Sequence, residues 1–202
     1  MANCEFVDLG LTVKWATCNI GGINPSSPGY YFAWGQVSQS SIYSKSYCKA
    51  SDRDIMSLYN TNFIKAIPVP GGNGEVRFVL SSVNDAANIL CNGSRMPTEM
   101  EFVELYQRCH WTKTTMNGVQ GYKVTGPNKN SIFLPLSGAK QDFSLIDGLG
   151  LYWSSSPEPY SSNHSAALIL NDQGVSVNPD IPRHYGCTIR PVKGDIKIVD
   201  IK

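Results

Sequence analysis

Residues 166–177 read AALILNDQGVSV and carry the clearest fold signal in the chain. An apolar run precedes Asp172-Gln173-Gly174, and a second run of alternating apolar side chains follows it. A short glycine-containing turn between two such runs is typical of a β-hairpin. The stretch therefore predicts a core hairpin that forms a rigid stem.

The segments on either side of this hairpin are polar and aromatic. Residues 151–164 read LYWSSSPEPYSSNH and residues 178–186 read NPDIPRHYG. Tyrosine provides a large, rigid contact area, serine and asparagine provide adaptable hydrogen bonds, and proline limits the ordering cost of binding. Trp153 is predicted to be a core anchor, as are Trp15 and Trp34, whereas the remainder of both segments is predicted to form ligand-binding loops.

Twelve side chains in these two loops are the predicted ligand contacts. They are Ser156, Glu158, Tyr160, Ser161, Asn163, His164, Asn178, Asp180, Ile181, Arg183, His184 and Tyr185. Two alternatives stay open: the tyrosines can pack back on the domain, and Arg183 can be an ordinary surface charge.

The rest of the chain predicts strands, then two helices, then more strands. Residues 5–21 alternate in hydrophobicity around Gly10, which predicts a strand pair, and a short aromatic strand is expected near residues 30–34. Residues 36–75 predict an irregular excursion without a helix. Residues 81–91 predict a helix capped by Ser81 or Ser82, and Thr98 with Glu101 predicts a capping box at the start of another helix. This order predicts a single α+β domain over residues 1–202, in which the charged tail from residue 194 can add an edge strand.

Composition excludes several classes of protein. A formal net charge of +1 and a pI of about 7.6 leave no basic surface for nucleic acid. No segment reaches the length of a membrane span, and no signal peptide is visible at the start of this chain. The six cysteines have no CxxC spacing, so no zinc site is predicted, and disulfides and free thiols both stay open.

Six blocks of sequence in order resemble a known family. They are VDLGLTVKWATCNIG (7–21), YYFAWGQ (30–36), SRMPTEMEFVELYQRC (94–109), NGVQGYKVTGPNKNSIFLPLSG (117–138), YWSSS (152–156) and IRPVK (189–193). Together they resemble the Fibrobacter succinogenes major paralogous domain, which is abundant in Bacteroides and their phages.

The resemblance implies a C-type lectin-like fold, with two helices packed on short, mostly antiparallel strands and a loop-rich C-terminal ligand face. That face corresponds here to the display segment, residues 153–192. The related proteins include formylglycine-generating enzymes and the variable proteins of diversity-generating retroelements, in which adenine-directed mutation changes the ligand-contacting residues. The resemblance thus implies a binding protein whose loops can be diversified.

The sequence offers little for catalysis or metal binding. The related oxidases use a cysteine pair in the C-terminal half, whereas only Cys187 follows Cys109 here, and a disulfide between these two is conceivable. The three histidines are not spaced for a metal. Glu158-Pro159-Tyr160 and Asn178-Pro179-Asp180 both depart from the tripeptides that hold calcium in true C-type lectins. We therefore expect no enzymatic activity, no cofactor and no metal.

The sequence predicts a display protein that binds a protein or glycan on a cell or host surface. We expect the protein outside the cell, on a cell surface or on a phage virion, without membrane insertion. We also expect that it can self-associate. The alternatives are an assembly domain of a surface appendage or phage tail, and, third, a formylglycine-generating-type oxidase.

Overall fold

A computed structural model describes residues 5–197 as an α+β fold, built mostly from antiparallel strands in small sheets with three short helices. The helices are α1 (Ile55–Asn60), α2 (Ala86–Leu90) and α3 (Glu99–Arg108). The strands are β1 (Phe6–Asp8), β2 (Lys14–Ala16), β3 (Ile64–Pro68), β4 (Val76–Leu80), β5 (His110–Met116), β6 (Val119–Thr125), β7 (Ser131–Pro135), β8 (Ala139–Gln141), β9 (Ser144–Ile146), β10 (Leu149–Pro157), β11 (His164–Asn171), β12 (Gly174–Pro182) and β13 (Val192–Lys193). The α+β class predicted from the sequence is confirmed.

The two ends of the described chain meet in one sheet of order β1-β2-β13. Arg190, just before β13, fastens this junction by donating from Nε to Asn19 Oδ1 (2.8 Å) and from Nη1 to the carbonyls of Ala16 (3.0 Å) and Thr17 (2.7 Å). The acceptors of these three bonds are carbonyl and amide oxygens.

The predicted core hairpin is confirmed as β11 and β12, which form a sheet of order β10-β11-β12. Asn171 pairs with Gly174 across the two-residue turn, and Asn171 Oδ1 accepts the backbone N–H groups of Gln173 (2.8 Å) and Gly174 (3.1 Å). Asn117-Gly118, a dipeptide typical of hairpin turns, joins β5 and β6, and both of its residues have positive φ. The positive φ values of Asn117 and Gly118 match the backbone conformation that these residues favour in a two-residue turn.

Helix α3 begins as its capping box predicts. The side chain of Thr98 accepts the N–H of Glu101, and the carboxylate of Glu101 accepts the N–H of Thr98. The predicted cap of α2 is wrong by one turn: Ser82–Asn84 form a short 3-10 turn, and Asp85 caps the helix by accepting from Ala87 and Asn88. Aspartate at this position satisfies two N–H groups of the first turn, which neither serine can reach.

The region predicted to be irregular contains regular structure. Helix α1 lies within residues 36–75, capped by Asp54, and β3 and β4 form a hairpin around residues 69–75. The sequence missed α1 because it has only six residues and two buried side chains, Ile55 and Leu58, which is too few for a visible helical period. The expected aromatic strand near residues 30–34 is reduced to a single bridge between Phe32 and Cys187.

Two apolar clusters share the β10-β11-β12 sheet, which we call the central sheet. Trp153 and Ala167 belong to the cluster that contains Trp34, and Tyr152 and Leu168 belong to the cluster that contains Trp15. Successive side chains of a strand point to opposite faces, so β10 and β11 are covered on both sides. All three tryptophans predicted to be core anchors are fully buried. Because β10 and β11 contribute to both clusters, the structure agrees with a single domain, which stays a prediction.

Three expectations from the sequence concern the tail of the chain, its thiols and membrane-spanning helices. Residues 194–197 form no strand, and the rest of the predicted tail strand lies outside the described residues. Cys18, Cys48, Cys109 and Cys187 are free thiols, so the conceivable Cys109–Cys187 disulfide does not form. Among residues 5–197, no helix is both long and apolar enough to cross a bilayer.

The capping box gives a test of the fold. Replacing Thr98 with alanine should lower the free energy of unfolding by about 1 kcal/mol, because the N–H of Glu101 loses its acceptor at a buried helix end. Urea denaturation measures the change, and Thr98→Ser, which keeps the hydroxyl, should stay close to wild type. Equal losses in both variants would show that the methyl group, and not the cap, stabilises this position.

Candidate functional site

The two predicted ligand-binding segments meet at one end of the central sheet. His164, at the start of β11, pairs with Pro182, at the end of β12, and the N–H of Arg183 donates to the carbonyl of Asn163 at 2.8 Å. The loop between β10 and β11, residues 158–163, therefore lies next to residues 183–185. We call these two stretches together the loop face.

The boundaries of the predicted loops change in the structure. Ser156 is part of β10, and Asn178–Pro182 are part of β12, so the second predicted loop is mostly a strand. Register shifts between Ser165 and Ala167, and between Trp153 and Pro157, mark irregularities where the strands bend. Prolines are tolerated in β12 because it is an edge strand of its sheet.

A buried arginine lies beneath the loop face. Arg183 is fully buried, and its guanidinium donates to five backbone carbonyls and one hydroxyl. The acceptors are the carbonyls of Ala50 (3.1 Å), Arg53 (2.8 Å), Ser161 (3.2 Å), Ser162 (3.0 Å) and His164 (2.9 Å), and Ser165 Oγ (3.0 Å). The guanidinium thereby ties the 158–163 loop to residues 50–53, more than 100 positions away in the chain.

Arg183 is also stacked on an aromatic ring. Its guanidinium carbon lies 5.0 Å from the centre of the Trp34 ring, and the N–H of Trp34 donates to the Arg183 carbonyl at 2.8 Å. Burial lowers the pKa of Arg183 to about 10, which leaves it charged at neutral pH. No carboxylate among residues 5–197 forms a salt bridge with it, so carbonyl dipoles and the Trp34 ring offset its desolvation.

Two of the predicted ligand contacts are therefore corrected. Arg183 and Ile181 are buried, and a ligand at the surface cannot reach either side chain. The sequence could not distinguish them from their exposed neighbours because the irregular pairing of β12 disturbs simple alternation. Arg183 acts as a structural support for the loop.

The loop is also held by side chains of its own. Ser161 Oγ lies 2.8 Å from His164 Nδ1 and accepts the N–H groups of Asn163 and His164. His164 Nδ1 is 3.4 Å from the Asp180 carboxylate, which connects the loop to β12. Asn163 forms two hydrogen bonds with Asp52, one from its amide to the carboxylate (3.1 Å) and one from the Asp52 N–H (2.8 Å). These four predicted residues thus fix the shape of the loop face.

One predicted contact projects fully into solvent. The side chain of Tyr160 is 99% exposed, and its backbone N–H donates to Glu158 Oε1 at 3.3 Å. Glu158, Pro159 and Tyr160 border a groove of about 500 Å³ that is also lined by β4 and the first turn of α3. Ser156 lies in the same groove, where its Oγ accepts the N–H of Glu99 at 3.1 Å.

The other predicted contacts lie to the side of this groove. His184 borders a shallow polar basin of about 520 Å³ together with Lys45, Asp52 and Asp142. Tyr185 is half-buried against the core, with its ring 5.1 Å from that of His184. Asn178 Oδ1 accepts the N–H of Asp180 at 2.8 Å, which shapes the bend in β12. The structure therefore divides the predicted residues between a groove, a basin and supporting positions.

Sequence reasoning missed the residues that complete these surfaces. Asp52 and Lys45, which form an ion pair at 2.7 Å, come from the region predicted to be irregular. Glu99 and Arg77 join the groove from α3 and β4. Helical position alone could have indicated that Glu99 lies in the first turn of α3, but its proximity to the loop depends on tertiary packing.

The thiols give no support for oxidase chemistry. Cys187 is fully buried, and burial raises its pKa well above the ordinary value, while burial followed by the Glu104 charge raises the pKa of Cys109 to about 11. Both thiols are thus held in the protonated form, which is neither nucleophilic nor metal-binding. Over residues 5–197, no group of three or more histidine, cysteine, aspartate or glutamate side chains is arranged to hold a metal ion.

The support provided by Arg183 can be tested by substitution. Arg183→Lys should lower the free energy of unfolding by about 3 kcal/mol, because three lysine donors leave roughly half of the six acceptors unpaired. Hydrogen exchange at residues 158–163 should accelerate as well. The matched control is Arg77→Lys, at a position whose side chain is 58% exposed, where we expect a change within about 0.5 kcal/mol. Similar stability of the two variants would contradict the role assigned to Arg183.

The basin has a pH-dependent member. Burial lowers the pKa of His184 below its ordinary 6.5, with Asp142 opposing the shift and His164 and Lys45 adding to it. The folded state thus binds this proton less readily than the unfolded chain, and stability should fall as the pH drops below 6.5. Proton NMR titration should place the midpoint below 6.5, and His184→Gln should reduce the loss of stability between pH 7.5 and 5.5. An unchanged pH profile of stability in His184→Gln would contradict this role of His184.

No family model, curated protein or solved structure matches the chain significantly.

Proposed function

We propose that this chain is a C-type lectin-like binding domain that recognises a protein or glycan surface through its loop face. The resemblance to the Fibrobacter succinogenes major paralogous domain and to the variable proteins of diversity-generating retroelements supports the proposal. In such proteins the segment that ends at the Arg-Pro-Val block carries the ligand contacts. The corresponding segment here is 153–192.

The observation that carries the proposal is the contrast between the top and the base of the 158–163 loop. At its base, the Arg183 guanidinium holds the carbonyls of Ser161 and Ser162. At its top, Tyr160 is 99% exposed and is flanked by Pro159. A rigid tyrosine on a fixed loop binds with a small ordering cost, which is how antibody loops use this residue. The Tyr160 side chain makes almost no contact within the domain, so its whole surface is available to a ligand.

The arrangement of the sheets also supports the proposed fold. Pairing of β2 with β13 brings the two ends of the domain together, and the loop face is formed by the end of the separate β10-β11-β12 sheet. The sheet that joins the two ends and the loop face are therefore formed by different parts of the chain. Substitutions at Tyr160 or Pro159 leave the buried faces of β10 and β11 untouched.

The proposed setting is the outside of a cell or a phage virion, with a protein or glycan on another surface as the partner. The domain acts by binding, without catalysis. An assembly domain of an appendage or phage tail is the second candidate, and the two differ in how they respond to loss of an exposed loop side chain.

Tyr160→Ala tests the proposal. Binding of the labelled protein to a printed glycan array and to intact bacterial cells should weaken at least about tenfold, as expected for an exposed aromatic anchor. The melting temperature should stay unchanged because the Tyr160 side chain has almost no contacts within the domain. Tyr106→Ala removes a tyrosine that is 46% exposed on α3 and should bind like wild type.

Two results would contradict the proposed function. Binding that is equal in wild type and Tyr160→Ala would place recognition elsewhere on the surface. Concentration-dependent self-association without any binding that depends on Tyr160 would favour the assembly domain.

A further inference from the structure

The groove beside Tyr160 is bounded by one strand edge and one loop. Residues 76–79 of β4, 98–100 at the start of α3, 156–160 and Pro179 line it, and its volume is about 500 Å³. Alternate residues of a strand point to opposite faces, so four consecutive lining residues of β4 show that its edge borders the groove. Within the described part of the chain, β4 pairs only with β3.

The hydrogen-bond pattern of the hairpin shows which backbone groups lie on that edge. Val69 N–H donates to Glu75 at 2.9 Å, and Ser81 N–H donates to Phe63 at 3.1 Å. Hydrogen-bonded and non-hydrogen-bonded pairs alternate along an antiparallel ladder, so Ile67 pairs through hydrogen bonds with Arg77 and the backbone groups of Val76 and Phe78 point outward. No backbone partner for Val76 or Phe78 occurs on this outer side among residues 5–197. Unpaired groups of this kind are a template for another strand.

The opposite side of the groove carries uncompensated negative charge. Glu99 and Glu158 both line it, and burial first and the Glu158 charge second raise the pKa of Glu99, against an opposing effect of Arg77. Arg77 is already ion-paired with Glu75 at 3.1 Å. Lys197 also lines the groove, so three carboxylates face two cations and leave one net negative charge. Neither Glu99 nor Glu158 has a salt-bridge partner in the described residues.

We infer that the groove binds an extended peptide segment of a partner protein, which adds as a strand to the free edge of β4 and places a cationic side chain against Glu99 and Glu158. The inference rests on the proposed function and specifies its partner as a protein. The strand edge favours a peptide over a glycan, because a glycan has no N–H and C=O groups repeating at strand spacing. Main-chain bonds then provide affinity, and the carboxylates select the residue that enters the groove.

The walls of the groove suit such a segment. Val76, Met100, Pro157 and Pro179 provide apolar surface for residues on either side of the cation, and Tyr160 offers an aromatic face at the rim. Pro157, Pro159 and Pro179 restrict the backbone, so little order has to be gained on binding. Arginine fits best, since its planar guanidinium can hydrogen-bond to carboxylates and stack on tyrosine.

The probe is a synthetic pentapeptide, Thr-Val-Arg-Val-Thr, acetylated and amidated, titrated into the full-length ¹⁵N-labelled protein. Saturable chemical-shift changes are expected at the amides of Val76, Phe78, Glu158 and Tyr160. A peptide with citrulline, the neutral isostere of arginine, should bind roughly fivefold more weakly. Two further peptides are compared, one N-methylated on the arginine and the other N-methylated on both valines. Because only alternate residues of an added strand hydrogen-bond to β4, one of these peptides should lose binding and the other should keep it.

Matched variants test the carboxylates. Glu158→Gln keeps the oxygen that accepts the Tyr160 N–H, and it should reduce the preference for arginine over citrulline to about onefold to twofold. Glu99→Gln should act similarly. Asp142→Asn changes the net charge equally at a position outside the groove and should keep the full preference.

Three results would overturn the inference. The first is equal binding of the arginine and citrulline peptides. The second is a loss of the preference for arginine over citrulline in Asp142→Asn that equals the loss in Glu158→Gln. The third is unaltered binding of both N-methylated peptides. Chemical-shift changes in the groove that depend on protein concentration, and that the peptide does not compete away, would show that a second copy of the chain occupies the groove. That result also overturns the inference. If any of these occurs while binding to cells still depends on Tyr160, the proposed function stands without the peptide groove. If Tyr160 is not required either, both fail.

Discussion

The contact between the Arg183 guanidinium and the backbone carbonyls around it is the interaction on which the loop face depends. A buried cation without a salt-bridging carboxylate is costly unless other groups replace its hydration. Here the carbonyls of two separate segments, 50–53 and 161–164, converge on one planar group that also stacks on Trp34. Each segment reduces the cost for the other, so the loop and the 50–53 segment are held in place together.

This arrangement separates stability from recognition. The groups that hold the loop are mostly main-chain carbonyls, which every residue type supplies, and they point inward to Arg183. The outward side chains at Pro159 and Tyr160 add little to the interior. Because Ser161, Asn163 and His164 also hold the loop through their side chains, it is at positions 159 and 160 that different side chains can be accepted without loss of its shape. That property suits a surface whose contacts change while the fold stays the same.

The groove shows how three elements far apart in sequence create a surface that none of them has alone. The β3–β4 hairpin provides an open strand edge, α3 provides Glu99, and the end of β10 continues into Glu158 and Tyr160. The capping box keeps the first turn of α3 in position, and Ser156 accepts the N–H of Glu99, which connects the helix directly to β10. Glu99 and Glu158 thus lie close enough for the charge of Glu158 to raise the pKa of Glu99.

The sequence by itself determined the elements whose signals are local. The turn at 172–173, the Asn117-Gly118 turn, the capping box at Thr98 and the three core tryptophans all follow from short-range backbone preference or from apolar character. It also located the segment that carries Tyr160. Tertiary structure alone decided that Arg183 is buried, that β4 has an open edge, and that Glu99 approaches Glu158, because these depend on segments separated by tens of residues or more. Local patterns contain no information about such distant partners, and a polar residue looks the same in the sequence whether it contacts water or supports a loop from beneath.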